Sequence, residues 1–450
     1  MKETRTPAWA LLSLLIAWIG ALATATLALY SILFAVGAAN LFELNPSIES
    51  LDAARTISAC NGNEECITFH ARIITISGDT SLVGAFSFAR LTTVLAVLVS
   101  GGAIAFFAFT KSKILEFEKL PDQTLIALFG RTVPAAVLTR LVLVRPKVRG
   151  LPLTPFTDGS TIYLPSESLL IDSTLLSFQL LHELRHVFLF GKYEPLLFAG
   201  LQIVAVQTAI LLFPLFIMIG SDIGGLSGFI VTLVLTWSSY LYWRYAARNL
   251  STAIEISADV FARSELRSEA LPLQSQFAQA KDPQVIRRAV LLAQDKVSHQ
   301  RAVAEHWTVF ARLTVIAASL ASSLLLVFKV ALPIKLMPDT AMVSLILAVS
   351  MTTMTATVLI RRSLIIVRPP FRLRNFIISF CTVALPFVAA SLYLAWAVGQ
   401  MHAEVNSRSV PVIFLLLLSH PESVAAITAL TWAWIQTLDL SANELPAANP

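Results

Sequence analysis

Charge is what this sequence has least of. Of its 450 residues, 28 are Asp or Glu and 33 are Lys or Arg, only 14% in all, while 56% are hydrophobic. A soluble domain of this length keeps more charge on its surface, so that class is set aside. Cysteine is scarce too, with three residues in the chain. Cys60 and Cys66 share the polar stretch "CNGNEEC", and Cys381 lies in an apolar block. A close pair in a non-cytoplasmic loop fits a disulfide or two unpaired thiols. With His70 the pair reads C-x5-C-x3-H, which is not a standard zinc-knuckle spacing. Internal repeats and low-complexity linkers are lacking as well. The net charge of +5 is modest, and the basic residues cluster beside apolar blocks. That pattern points to membrane orientation rather than to nucleic acid.

What is there in quantity is apolar sequence, with a mean hydropathy of +0.73. Several blocks reach the roughly 20 residues that cross a bilayer as a helix. Candidate spans cover 9–36, 83–110, 195–219, 225–242, 309–330, 342–360 and 376–398, and an irregular last region covers 410–438. The first block follows the basic "MKETRTP" and is too long for a signal-peptide core, so it reads as an uncleaved span. The expected fold is a mainly α, polytopic helical membrane protein of about eight spans carrying a small α+β domain. Residues 1–110 hold two spans and an acidic outer loop. Residues 111–306 hold the non-membrane domain, interrupted by a hairpin at about 195–242, and 307–450 hold the remaining spans. Lys111, Lys113, Lys119, Arg131, Arg140, Arg145, Lys147 and Arg149 put that domain on the cytoplasmic side by the positive-inside rule. A bacterial cytoplasmic membrane is the expected location.

Within the domain, "LTRLVLVRP" predicts a strand stopped by Pro146. "DGSTIYLP" predicts a turn at Asp158-Gly159 and a short edge strand stopped by Pro165, open to an extended peptide. A helix is expected from Asp172 or Ser173 to about Gly191. It carries "LLHELRHVFLF", in which His182 and His186 are four apart and share a helix face. Glu183 stands beside them, completing H-E-x-x-H. Two imidazoles suit zinc, and the carboxylate suits a general base. The rival reading is a buried helix whose histidines bond to backbone or to nearby charges.

Catalytic zinc takes three protein ligands and leaves a position open. The remaining histidines, His70, His299, His306, His402 and His420, are poor candidates by predicted side or local pattern. "STAIEISADVFARSEL" offers a carboxylate instead, because Glu255, Asp259 and Arg263 form one stripe at spacing four. Glu255 can complete a His/His/Glu set, and Asp259 can accept a hydrogen bond from the free nitrogen of a ligating histidine. The alternative for the same stripe is a solvated Asp259–Arg263 pair. Ser419, Pro421 and Glu422 in "SHPES" read as a capping box.

Two motifs in this order with a hairpin between them resemble the membrane-embedded gluzincin metallopeptidases. These are the group of the CAAX prenyl endopeptidases and the bacterial heat-shock membrane proteases, related to the sensor-transducer metalloproteases of beta-lactam signalling. The resemblance covers roughly 141–266 and rests on H-E-x-x-H together with Glu255, Ala258 and Asp259 of "EISADVFA". It implies one Zn2+ per chain held by His182, His186 and Glu255, with Glu183 as the catalytic base. Arg263, and more weakly Tyr163, are candidates to donate to the carbonyl oxygen. Arg185 stands where many relatives have Gly or Ala, and "VFLFG" replaces a charged turn. The implied partners are the lipid bilayer and a polypeptide or membrane-protein substrate. The expected activity is zinc-dependent endoproteolysis at the cytoplasmic face, in membrane-protein quality control or regulatory proteolysis. Alternatives are a sensor-transducer whose inner domain cleaves a regulator, a non-catalytic scaffold, and a transporter that uses these charges as a pathway.

Overall fold

The computed structural model describes residues 117–119, 137, 139–146, 155–166, 168, 173–191, 194, 197–202, 204–206, 208–209, 223–266, 296–331, 339–364, 373–401 and 418–438. The first two expected spans, the loop with Cys60, Cys66 and His70, most of the third span, and His402 lie outside these residues. The described part is mostly helical, with a small sheet, and three of its helices are long and apolar enough to cross a bilayer. They lie within Gly225–Leu266, Gln300–Leu326 and Met342–Leu364. The chain is a helical, integral membrane protein.

The sheet has four strands, β1 (Phe117–Lys119), β2 (Leu141–Pro146), β3 (Phe156–Thr157) and β4 (Ile162–Pro165), in the order β1-β2-β4-β3. β2 pairs antiparallel with β1 and parallel with β4, and β3 pairs antiparallel with β4. "LVLVRP" forms a strand as its β-branched and leucine content dictates, and Pro146 is its last residue. Leu141 faces Ile162 and Leu143 faces Leu164 across the parallel pair. All four are buried in one cluster with Leu180 and Leu184 of the helix laid on the sheet. β4 is a correction to the expected edge strand. It lies between β2 and β3, so it is closed to strand addition at Ile162 and Tyr163, and the two-residue β3 forms the edge there. The β3–β4 turn is held by Asp158, whose Oδ1 accepts from the Ser160 and Thr161 amides at 2.8 Å each.

Helix α1 (Ser173–Leu189) contains no Gly or Pro, and most of its residues are buried, its polar side chains among them. Gly191 follows in the left-handed region at φ +55 and turns the chain out of the helix. A Cβ built there would stand 3.2 Å from the Gly159 carbonyl oxygen. The same turn that starts β4 therefore braces the end of α1. Gly191→Ala adds left-handed strain to this close approach. It is expected to cost about 1–2 kcal/mol, read as a fall in the thermal midpoint of the detergent-solubilised protein.

Helix α2 runs without a break over Gly225–Leu266, 42 residues, or about 63 Å at the α-helical rise. The sequence reading ended the fourth span at 242 and opened a separate segment near Arg244. The structure joins the two. No Gly or Pro interrupts the chain after Gly228, and Arg244 and Arg248 sit on the exposed side, so nothing breaks the helix there. Its first half leaves Leu226 74%, Phe229 61% and Trp237 60% exposed, as lipid-facing residues are. Its second half buries Ala253, Ile254, Ile256, Ala258 and Ala262.

Three further helices pack with α2 into the second core: α3 (Lys296–Ala331), α4 (Asp339–Leu364) and α6 (Pro421–Ile435). α5 (Leu373–Met401) completes the bundle and carries Pro386 inside it. At α6 the expected capping box does not form. The N-cap is His420, without a side-chain cap bond, and Pro421 opens the helix. Glu422 is taken instead by Lys329 of α3, a buried ion pair. The other end of α6 is met by two arginines: Arg361 donates to the Gln436 carbonyl and Arg312 to that of Thr437. Helix-end carbonyls buried in a bundle need such donors.

Candidate metal centre

Helix periodicity brings His182 and His186 of α1 together, one turn apart and both buried. Their Nε2 atoms are 3.1 Å from each other. From α2, Glu255 reaches the same point, with Oε2 3.4 Å from His182 Nε2 and Oε1 3.7 Å from His186 Nε2. The three residues form a group able to hold a metal ion. Donors bound at about 2.0–2.1 Å to a tetrahedral ion stand about 3.3 Å apart, a value the three separations bracket.

The outer nitrogens explain why the inner ones converge. His182 Nδ1 lies 2.7 Å from Asp259 Oδ1, one turn beyond Glu255 on α2. His186 Nδ1 lies 3.0 Å from both carboxylate oxygens of Glu194. An ionised carboxylate only accepts, so both Nδ1 atoms donate and a second proton, or a metal ion in its place, is left to Nε2. Two Nε2 atoms and a carboxylate oxygen aimed at one point need a cation among them, a proton in the metal-free site. The donor set also fits a divalent ion in that place.

The electrostatics agree. Burial opposes the charged form of His182, but Asp259 and Glu255 outweigh it and push its pKa, in the metal-free site, up to about 10. Burial likewise opposes charge on His186, and the Glu194 carboxylate outweighs it, so this pKa is also raised. Glu183, half-buried next to His182, is pushed up first by desolvation and further by Glu255 and Glu194, with the two histidines partly offsetting. Its titration feels all four neighbours, which puts it within electrostatic reach of the site.

The structure brings His182, His186, Glu255, Asp259 and Glu183 together. Arg263 lies two turns past Glu255 on α2, about 12 Å further along the axis, partly exposed. Tyr163 donates its hydroxyl to Asp158 at 3.0 Å and so belongs to the β3–β4 turn. Arg185 turns to the bundle instead. It donates to the Ser363 carbonyl at the end of α4 at 2.8 Å and lies over the Phe261 ring of α2 at 5.5 Å. It ties α1 to two helices of the bundle. Sequence reasoning passed over Glu194. Its one local signal is an acidic residue three positions after the glycine that ends α1.

Fold and site together define a helical membrane protein with a His/His/Glu group able to hold a metal ion, its Glu255 on a helix long and apolar enough to cross a membrane. No family model, curated protein or solved structure matches the chain.

Proposed function

We propose that the chain is an integral-membrane zinc metalloendopeptidase, with about eight spans and its zinc domain at the cytoplasmic face of a bacterial inner membrane. The observation that carries this reading is the convergence of His182 Nε2, His186 Nε2 and Glu255 on one point, with each imidazole's other nitrogen held by a carboxylate. Zinc suits two imidazoles and one carboxylate and leaves a coordination position open. When bound, it supplies a Lewis acid that polarises the scissile carbonyl and acidifies the attacking water. Glu183 accepts the proton of that water at its carboxylate and delivers it to the leaving amine. In the metal-free site burial raises its pKa, the direction of a stronger base. Arg263 is the candidate donor to the carbonyl oxygen. Asp259 keeps the His182 ring turned toward the ion. The substrate is a polypeptide or membrane protein, and the continuous α2 links the bilayer to the site.

The test is hydrolysis of casein or a membrane protein by the full chain in detergent, blocked by a zinc chelator and restored by zinc. No hydrolysis by zinc-loaded protein would refute the reading.

Chelation also has a pH signature. In the metal-free protein the His182 pKa stands at about 10 against 6.5 for an unperturbed imidazole. The stability it contributes is complete below pH 6.5 and is lost as pH rises through about 10. The raised pKa values of His186 and Glu183 act in the same sense. The thermal midpoint of chelator-treated protein is therefore expected to fall between pH 7 and 10, roughly this window. Zinc-loaded protein holds its midpoint, because the ion replaces the proton. A chelated midpoint that is flat or rises over this range contradicts the geometry.

A further inference from the structure

We propose that Glu194 is a positioning residue of the metal centre, the carboxylate that fixes the ring of His186 so that its Nε2 meets that of His182. This rests on the metal-site reading and extends it to a residue outside both motifs. Both Glu194 oxygens stand 3.0 Å from His186 Nδ1, so the carboxylate straddles the ring nitrogen. Its side chain is only 17% exposed, and a carboxylate that buried needs a partner.

Its place in the fold fits that role. Glu194 is itself helical, in the segment that follows Gly191, and so comes from outside α1. Its carboxylate meets the last turn of α1, where His186 lies. The two imidazoles are thus clamped from different elements, His182 by α2 and His186 by the helical segment after α1. Without Glu194, the His186 ring is free to rotate and exchange its two nitrogens.

The experiment uses the full chain in detergent, with zinc affinity measured by competition with a chromophoric chelator and Co2+ absorption as a probe of ligand geometry. Glu194→Ala is expected to weaken zinc binding on the order of 10–100-fold and to change the cobalt bands, the scale seen for outer partners of ligating histidines. Glu194→Asp is expected to recover part of the loss. Zinc affinity within twofold of wild type and an unchanged cobalt spectrum in Glu194→Ala would overturn the proposal. Should that variant not fold, Glu194→Gln keeps size and an acceptor oxygen and is expected to lose affinity several-fold; unchanged affinity there overturns it equally. A wild-type chain that takes up no zinc removes the metal-site reading itself, an outcome distinct from a wild type that binds and a variant that binds equally well.

Discussion

Glu183→Gln is expected to remove proteolysis while leaving zinc in place. The carboxamide keeps the size of the side chain and cannot take a proton from water. The rate on casein should fall on the order of 10²–10⁴-fold, the usual contribution of a general acid–base group. Zinc content should stay at the wild-type level, because Glu183 is not among the three converging ligands. The pair of readings separates enzyme from scaffold. In a scaffold the substitution changes neither value. If Glu183 held the ion, both would fall. Only a base acting beside an intact centre loses rate and keeps metal. The pH profile adds a second mark: activity should rise as the Glu183 carboxyl ionises, a limb that Glu183→Gln removes from any residual rate.

The centre was legible in the sequence wherever one helix carries the information. Period 3.6 puts His182 over His186, and spacing four puts Glu255 over Asp259, so each pair is decided within its own helix. That the two pairs meet was an inference from topology, and the structure has them in contact at 2.7 Å between His182 and Asp259. What escaped depends on residues distant in sequence or on turn geometry. Glu194 reaches His186 from beyond Gly191, whose φ of +55 turns the chain out of α1, and no periodicity reveals that contact. Pro165 suggested an edge strand, yet it stands at the end of β4, opposite Val144, where a missing amide breaks little of the ladder. Ser419 and Glu422 had the spacing of a capping box, but Lys329, 93 positions away in sequence, claimed the carboxylate. The basic stretch after residue 242 does not end the helix: Arg244 and Arg248 project from its exposed side as it continues.

That continuity matters for the chemistry. Glu255 lies 13 residues beyond Tyr242, about 20 Å along α2. The part of α2 at 225–242 is apolar and exposed, while the part bearing Glu255 and Asp259 is packed against α1. Arg185 adds a second tie from α1, to the end of α4. The ligand set is therefore shared between a domain helix and a membrane helix, and its geometry depends on how the two are docked.

Loss of a ligand should show this sharing directly. Zinc binding worth about 10–16 kcal/mol, spread over three ligands, gives about 3–5 kcal/mol each, a factor of about a hundred to a few thousand in affinity. His186→Ala and Glu255→Ala are each expected to weaken zinc by at least that factor, measured by chelator competition. The two should differ in a further respect. On the proposed reading zinc joins α1 to α2 in wild type, and zinc at a hundred times the dissociation constant is expected to stabilise the fold by about 2.7 kcal/mol through mass action and so raise the thermal midpoint. Glu255→Ala removes the only ligand that α2 contributes to the described group, so residual zinc on His182 and His186 no longer bridges the helices. Proteolysis near Arg263, probed with trypsin, should then become insensitive to zinc, while in wild type zinc protects that end of α2. Zinc bound equally tightly by Glu255→Ala and wild type would exclude Glu255 from the ligand set and break the proposed link between membrane helix and site.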